Sequence, residues 1–417
     1  MYNLRGIARS PDRIELTREP RRINSMTFQP GRHFLQIPGP TNVPDRVLRA
    51  IDNPTIDHRG PDFAVLAKAC LEGMKTVFQT KDPVIIYTAS GTGGWEAGLV
   101  NTLSPGDKVL ASDTGQFAAL WTKMARHLGF SVDLIPSDWR HGVDPAEIGA
   151  RLSADSNHEI KAVLAVHNET ATGVTSDIAA VRKAMDAAKH PALLMVDTVS
   201  SLGSIDYRHT EWGVDVAIGG SQKGMMLPPG LSFNAISSKA IEVSKTSKMV
   251  KSFWRWDDML EINAKGFFPY TPATNLFYGL KEALAMMAEE GRENIFKRHK
   301  RLAEATRRAV RAWGLEICAL DPHEYSSTVT TVLLPAGFDE TAFRALVLEK
   351  FNMSLGAGLG RLAGKAFRIG HLGSINDLML AGALGGVEMG FELFGIPHKK
   401  GGVDAALAYL GEQAKTR

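Results

Sequence analysis

The 417-residue chain has only two cysteines, Cys70 and Cys318, and both stand among apolar neighbours. So few exclude a disulfide framework, and no Cys/His spacing fits a zinc site. Both read as reduced core residues, which places the protein in a reducing compartment, expected to be the cytoplasm. An excess of one charge is also missing. The formal net charge is +3, which gives no case for a nucleic-acid or membrane partner. No apolar run approaches the roughly 18 residues of a membrane-spanning helix. The twelve histidines include no H-E-x-x-H pair. The basic run Lys297, Arg298, Lys300, Arg301 interleaves with Ile295, Phe296 and Leu302, which is the pattern of a solvated helix face.

The composition, 44% hydrophobic and 22% charged, is that of a globular chain with room for one large core and a smaller second domain. Residues 1–30 are rich in Arg and Pro and have no apolar segment of a secretory signal. Asp12, Glu15 and Glu19 weigh against a mitochondrial transit peptide. They are expected to form an arm, with Met26 as an alternative start. From about residue 60 to 240, short apolar runs alternate with amphipathic stretches such as Ile178–Ala188. The runs include Val84–Thr88, Lys108–Ala111, Ala162–Val166, Leu193–Val196, Val214–Ile218 and Leu231–Ile236. This rhythm predicts an α/β fold with a mostly parallel, buried sheet. After about residue 325 the pattern changes to strands at Thr328–Leu334 and Ala366–Ile369 and helices at Glu340–Lys350 and Asp377–Phe391. The expected organisation is therefore an arm (1–30), a large domain (31–285) and a small C-terminal α+β domain (286–417).

Three segments carry chemistry. In His190-Pro-Ala-Leu-Leu-Met-Val-Asp197 an apolar run ends in a carboxylate, and strand ends at the carboxyl edge of a parallel sheet point into the ligand crevice. On its own, Asp197 is equally a helix cap. In Val214-Asp-Val-Ala-Ile-Gly-Gly-Ser-Gln-Lys223 a second run leads to a lysine, which alone would more often be a solvated loop residue. Together, a strand-end Asp and a following Ser-x-Lys supply what pyridoxal phosphate requires, an amine to bind its aldehyde and a carboxylate to keep its pyridine nitrogen protonated. Ser90-Gly91-Thr92-Gly93 opens a helical pattern, so its backbone N–H groups suit a phosphate as well as a tight turn. It matches neither nucleotide fingerprint, since Glu96 replaces the last Gly of G-x-G-x-x-G and no G-K-[ST] follows. Trp121 is read either as a ring-stacking residue or as core, and His167-Asn-Glu-Thr170 either as a group near the ring oxygen or as a polar turn.

The chain resembles the class V, fold type I, pyridoxal-phosphate aminotransferases, and within them the serine–glyoxylate and alanine–glyoxylate group. The resemblance runs from about Pro38 to the C-terminal helices. It rests on Pro38-Gly-Pro-Thr-Asn, Asp57-His-Arg59, Ser90-Gly-Thr-Gly, His167-Asn-Glu-Thr-Ala-Thr-Gly-Val, Val196-Asp-Thr-Val-Ser-Ser, Gly220-Ser-Gln-Lys-Gly, Tyr270-Thr-Pro and Phe367-Arg-Ile-Gly-His-Leu-Gly. It implies pyridoxal 5'-phosphate as cofactor, Lys223 as the Schiff-base lysine, Asp197 as the pyridinium partner and Trp121 as the stacking residue. It places Ser90, Gly91, Thr92 and Gln222 at the phosphate and Thr170 at the ring oxygen. Tyr270 and Thr271 would reach the phosphate from a second subunit, which implies a homodimer with shared sites. Gly39 would line the substrate wall, and Arg368 would grip the substrate α-carboxylate through a bidentate fork, although from sequence alone an Arg in Phe-Arg-Ile would more often be a strand-edge or surface residue. Arg59 would approach the substrate side chain.

What the resemblance implies is a ping-pong transfer of an amino group from serine to glyoxylate, giving glycine, with Lys223 moving the Cα proton. His58 stands where plant members of the group have Tyr, and Thr198 where Gly is common, so alanine and aspartate stay open as donors. Cysteine desulfuration would need a mobile nucleophilic cysteine, which Cys318 in Leu315-Glu-Ile-Cys-Ala-Leu does not offer. A nucleotide-dependent dehydrogenase lacks its fingerprint here, and a non-enzymatic regulator of the same fold would have no need of the complete catalytic set.

Overall fold

The computed structural model describes residues 30–415. Of the arm expected over residues 1–30 only Pro30 is described, so that expectation and Met26 lie outside the described residues. Two sheets organise the rest. The larger has seven strands in the order Val84–Ala89, Gly230–Ile236, Val216–Gly220, Leu193–Asp197, Ile160–Val166, Lys108–Ser112 and Ser131–Ile135. Gly230–Ile236 runs antiparallel to both neighbours, and the remaining pairs are parallel.

The apolar runs are continuous because helices cover both faces of this sheet. Successive residues alternate between two cores. Leu194 and Val196 join Phe63, Leu66 and Phe277 on one face. Leu193 and Met195 join Trp95, Trp121 and Trp256 on the other. The strands thus end at a common carboxyl edge, with Ala89, Ser112, Val166, Asp197 and Gly220 as their last residues.

The second sheet has five strands in the order Phe34–Gln36, Met353–Ala357, Ala366–Gly370, Val329–Leu333 and Glu316–Ile317. Its core, with Val332, Met353, Leu355, Phe367 and Ile369, packs against helices Arg292–Trp313, Glu340–Phe351, Asp377–Phe394 and Gly402–Ala414. Between the two sheets' segments the chain forms helices Thr274–Glu290 and Arg292–Trp313, divided at Gly291, where φ is +81°. Phe34 pairs with Met353 in parallel, so a segment just after the arm completes a sheet built otherwise from the C-terminal third. No helix among the described residues is long and apolar enough to cross a membrane.

The two sheets are fastened by a short hairpin, Asn168–Glu169 paired with Val174–Thr175, directly after the strand Ile160–Val166. The hairpin leans on the strand Val329–Leu333 and the segment leading into it, through Asn168 Nδ2 to Thr328 Oγ1 at 3.0 Å, Thr331 Oγ1 to the Ala171 carbonyl at 3.1 Å and Ser326 N to the Gly173 carbonyl at 3.0 Å.

Candidate functional site

A cavity of about 140 Å³ opens at the carboxyl edge of the large sheet, between the strand ends and the loop that carries Gly39 and Pro40. Asp197, the last residue of its strand, and Lys223, three residues beyond Gly220, both line it. The Lys223 turn is tied by Ser221, whose Oγ donates to the Pro228 carbonyl at 2.7 Å and accepts from Leu231 N at 3.1 Å. Gly224 allows the turn to close, because a Cβ there would overlap the Leu202 carbonyl.

Lys223 is 8% exposed and its amine donates to the Pro38 carbonyl. Burial, aided by the Arg368 charge, lowers its ammonium to about 7 against the pull of Asp197. Thr41 closes the loop over this lysine, donating its N–H to the Gln222 carbonyl at 3.1 Å and its hydroxyl to the Lys223 carbonyl at 3.0 Å. Gly39 has φ +98°, and a Cβ there would lie 2.6 Å from Lys223 Cε. Only glycine fits both the backbone conformation and the lysine stem.

The Asp197 carboxylate accepts Trp95 Nε1–H at 3.0 Å and Val199 N–H at 2.7 Å. Burial nonetheless raises its carboxyl to about 6, opposed by those two donors and by Lys223. Helix Gly91–Thr102 begins at the cavity with Ser90 as its N-cap, and no side chain among the described residues caps it. Its first N–H groups have no intrahelical acceptor and carry the positive end of the helix dipole. Gly91 is needed because a Cβ there would overlap Val199. Gln222 Oε1 is buried without a hydrogen-bond partner among the described residues.

Ser90, Gly91, Thr92, Thr170, Gln222 and Gly39 all line this cavity. The aromatic walls differ. They are Trp95 and Phe117. Trp121 is 1% exposed and lies behind them, stacked on Trp95 with ring centroids 5.8 Å apart at 14°. Phe117 and Trp121 are four residues apart on helix Gln116–His127 and share one face. The helix starts where it presents its first turn, carrying Phe117, to the cavity and buries the second. Phe117, and not Trp121 as expected, is therefore the ring of this helix that lines the cavity. Trp95, Asn168, Val199 and Ser200 also line the cavity. The sequence reading missed them as site residues, although Trp95 stands only three residues beyond Thr92 in the helix that the glycine-rich segment opens.

Arg368 does not line the cavity but stands beside it, on the strand Ala366–Gly370 of the second sheet. Its Nε donates to the Ala357 carbonyl at 2.7 Å and one Nη to the Thr170 carbonyl at 3.0 Å. The other Nη has no partner among the described residues. Burial lowers its guanidinium to about 10, opposed by Glu169 and Glu340. Arg59, Tyr270 and Thr271 are exposed and lie outside this chain's own cavity lining. Tyr270 stacks on Phe253 at 5.0 Å, and its hydroxyl lies 3.2 Å from Ser252 Oγ.

Cys318 is buried, and burial pushes its thiol up to about 11. Cys70 is likewise raised to about 12. Neither is poised as a nucleophile.

A strand-end acid and a desolvated amine facing one crevice, on this doubly covered sheet, define a fold type I enzyme of amino-group chemistry. The family model for class-V aminotransferases matches residues 33–360, and the chain belongs to that family. The serine–glyoxylate aminotransferase of Methylorubrum extorquens is 50% identical over 393 residues, 93% of this chain and 98% of that protein. The L-aspartate–glyoxylate aminotransferase of Paracoccus denitrificans is 49% identical, covering 89% of this chain and 94% of its own. The crystal structure of ureidoglycine–glyoxylate aminotransferase from Bacillus subtilis superposes with a TM-score of 0.84 at 26% identity, over 92% of this chain and 99% of that one.

Proposed function

We propose that the protein is a pyridoxal 5'-phosphate-dependent aminotransferase that moves the amino group of serine to glyoxylate. One observation carries the cofactor assignment. Lys223, Asp197 and Gln222 line one cavity at which the N-terminus of helix Gly91–Thr102 also begins. These groups fit a ligand that presents an aldehyde, a basic ring nitrogen and a phosphate.

When bound, pyridoxal phosphate supplies a carbonyl for the amino group and a ring that withdraws electrons from the substrate Cα. Lys223 would hold the aldehyde carbon, and its Nζ would take the Cα proton and return it. That role needs a neutral amine, which burial to about 7 makes accessible near neutral pH. Asp197 would keep a proton on the ring nitrogen. Phe117 would cover one face of the ring, and Thr170 would meet the ring oxygen. Ser90, Gly91, Thr92 and Gln222 would bind the phosphate. Arg368 would take the substrate carboxylate through its free Nη side, with Gly39 in the adjoining wall.

Tyr270, Thr271 and Arg59 are exposed on this chain. In our reading they complete the site of a second copy, which makes the enzyme a homodimer, acting in the cytoplasm on small amino and keto acids. The large sheet and the five-stranded sheet form its large (31–285) and small (286–417) domains, with Phe34–Gln36 crossing into the small one.

The serine assignment rests on the similarity to serine–glyoxylate aminotransferases at 50% identity. Aspartate is the second reading, favoured by the Arg59 guanidinium, which has no side-chain partner among the described residues, and by the L-aspartate–glyoxylate relative. Comparison of kcat/KM for serine, alanine and aspartate with glyoxylate, following glycine, decides between them. Serine should lead. An aspartate value tenfold or more above serine would overturn the donor assignment and make Arg59 the first residue to substitute.

A further inference from the structure

Glu169 is 1% exposed, does not line the cavity and has no role in the chemistry above. No cation among the described residues pairs with its carboxylate. It is spent wholly on backbone N–H groups: Phe117 at 3.1 Å, Ala118 at 3.1 Å and Ala171 at 3.0 Å. Phe117 and Ala118 occupy the first turn of helix Gln116–His127, whose N-cap is Gly115 and which has no side-chain cap of its own. A carboxylate from a hairpin some fifty residues away in sequence therefore caps this helix. Gly115 leaves the space for it, since a Cβ there would lie 2.6 Å from Glu169 Cδ.

The two ends of this clamp are both cavity walls. Phe117 is the half-buried ring on one side, and Thr170, between Glu169 and Ala171, is the polar group on another. Thr170 also presents its carbonyl to Arg368. We infer that Glu169 is a positioning residue for the cofactor: by capping the helix it sets which turn faces the cavity and holds the Phe117 ring at the height of the ring it covers. The inference rests on the cofactor reading above. A carboxylate suits the task because it accepts on both oxygens. A glutamine would turn an amide N–H₂ toward backbone donors and lose half the clamp.

The test is a double-mutant cycle on cofactor affinity. Apo forms of the wild type, Glu169→Gln, Phe117→Leu and the double variant are titrated with pyridoxal phosphate, following tryptophan quenching and the visible band of the bound cofactor, with melting temperatures alongside. Glu169→Gln should weaken binding by about tenfold or more. It should also shift the band as Phe117→Leu does, and add less than about twofold once Phe117 is gone. A purely structural role would lower the melting temperature without this non-additivity. If Glu169→Gln does not fold, Gly115→Ala, which displaces the same carboxylate without changing its charge, should give the same weakening and the same non-additivity with Phe117→Leu. Wild-type affinity in a folded Glu169→Gln or in Gly115→Ala, or multiplicative losses in the double variant, would overturn the inference and leave the cofactor reading intact. A wild type that binds no pyridoxal phosphate would overturn both.

Discussion

The indole N–H of Trp95 lies 3.0 Å from Asp197 Oδ2, so one member of the helix that opens at the cavity also holds the buried acid at its base. The bond favours the carboxylate form of a group that burial has raised to about 6. A hydrogen bond to a charged group contributes about 1.5–3 kcal/mol. Trp95→Phe should therefore move the Asp197 titration further up and carry the acid limb of the kcat profile with it, with kcat down by about tenfold. Asp197→Asn, which leaves no carboxylate, should cost about a hundredfold or more. A Trp95→Phe profile that overlays the wild type would reduce this indole to a space filler.

Gly39→Ala should strike Lys223 without touching the acid. The new Cβ would meet the lysine Cε at 2.6 Å in a backbone at φ +98°, and the left-handed region costs a non-glycine residue about 1–2 kcal/mol. A folded protein that retains less than about a tenth of its covalently held cofactor is the expected result, read from the visible band after gel filtration. Full retention would mean that the loop yields more easily than its contacts suggest.

Arg368→Lys should raise KM for every amino donor by about tenfold or more, because an ammonium cannot make two parallel bonds to a carboxylate while also serving the Ala357 and Thr170 carbonyls. A kcat change with KM unmoved would place the substrate carboxylate elsewhere.

Stability of the apo protein should fall on acidification. His167, His209, His299 and His371 are buried and neutral, lowered to about 4 for His167 and about 3 for the others, chiefly by burial. Depressed bases contribute stability that is present above the ordinary value near 6.5 and lost as pH falls below it. Asp197 and Glu169 act oppositely. Burial raises them to about 6 and about 7, so their contribution is complete at low pH and lost as pH rises through those values. Around pH 5 four histidines outweigh two carboxylates, and the unfolded chain binds about two more protons. The slope is then roughly 2–3 kcal/mol per pH unit, with stability rising with pH. Melting temperatures between pH 5 and 7 should show it, and Glu169→Gln should steepen it by removing one opposing proton. Equal melting temperatures at the two ends would contradict this balance.

The strands, the acid and the lysine were legible because each is a local pattern: an apolar run closed by Asp197, and another leading through Ser221 to Lys223. What covers and supports them was not. Phe117 and Trp121 have the same helical spacing to a reader of the chain, and only the cap supplied by Glu169 decides which turn meets the cavity. The strand Phe34–Gln36 pairs with residues more than three hundred positions later, a contact that no local periodicity encodes. The run Leu231–Ile236 looked like its parallel neighbours because, buried on both faces, a strand carries no mark of its direction.

Whether Lys223 carries the cofactor is the claim on which the rest depends. The most direct measurement is borohydride reduction of the enzyme with pyridoxal phosphate, followed by digestion and identification of the modified peptide. The account predicts one modified residue, Lys223, and a Lys223→Ala variant that folds but takes up no label and transfers no amino group. Label on another lysine, or transamination surviving in Lys223→Ala, would contradict it.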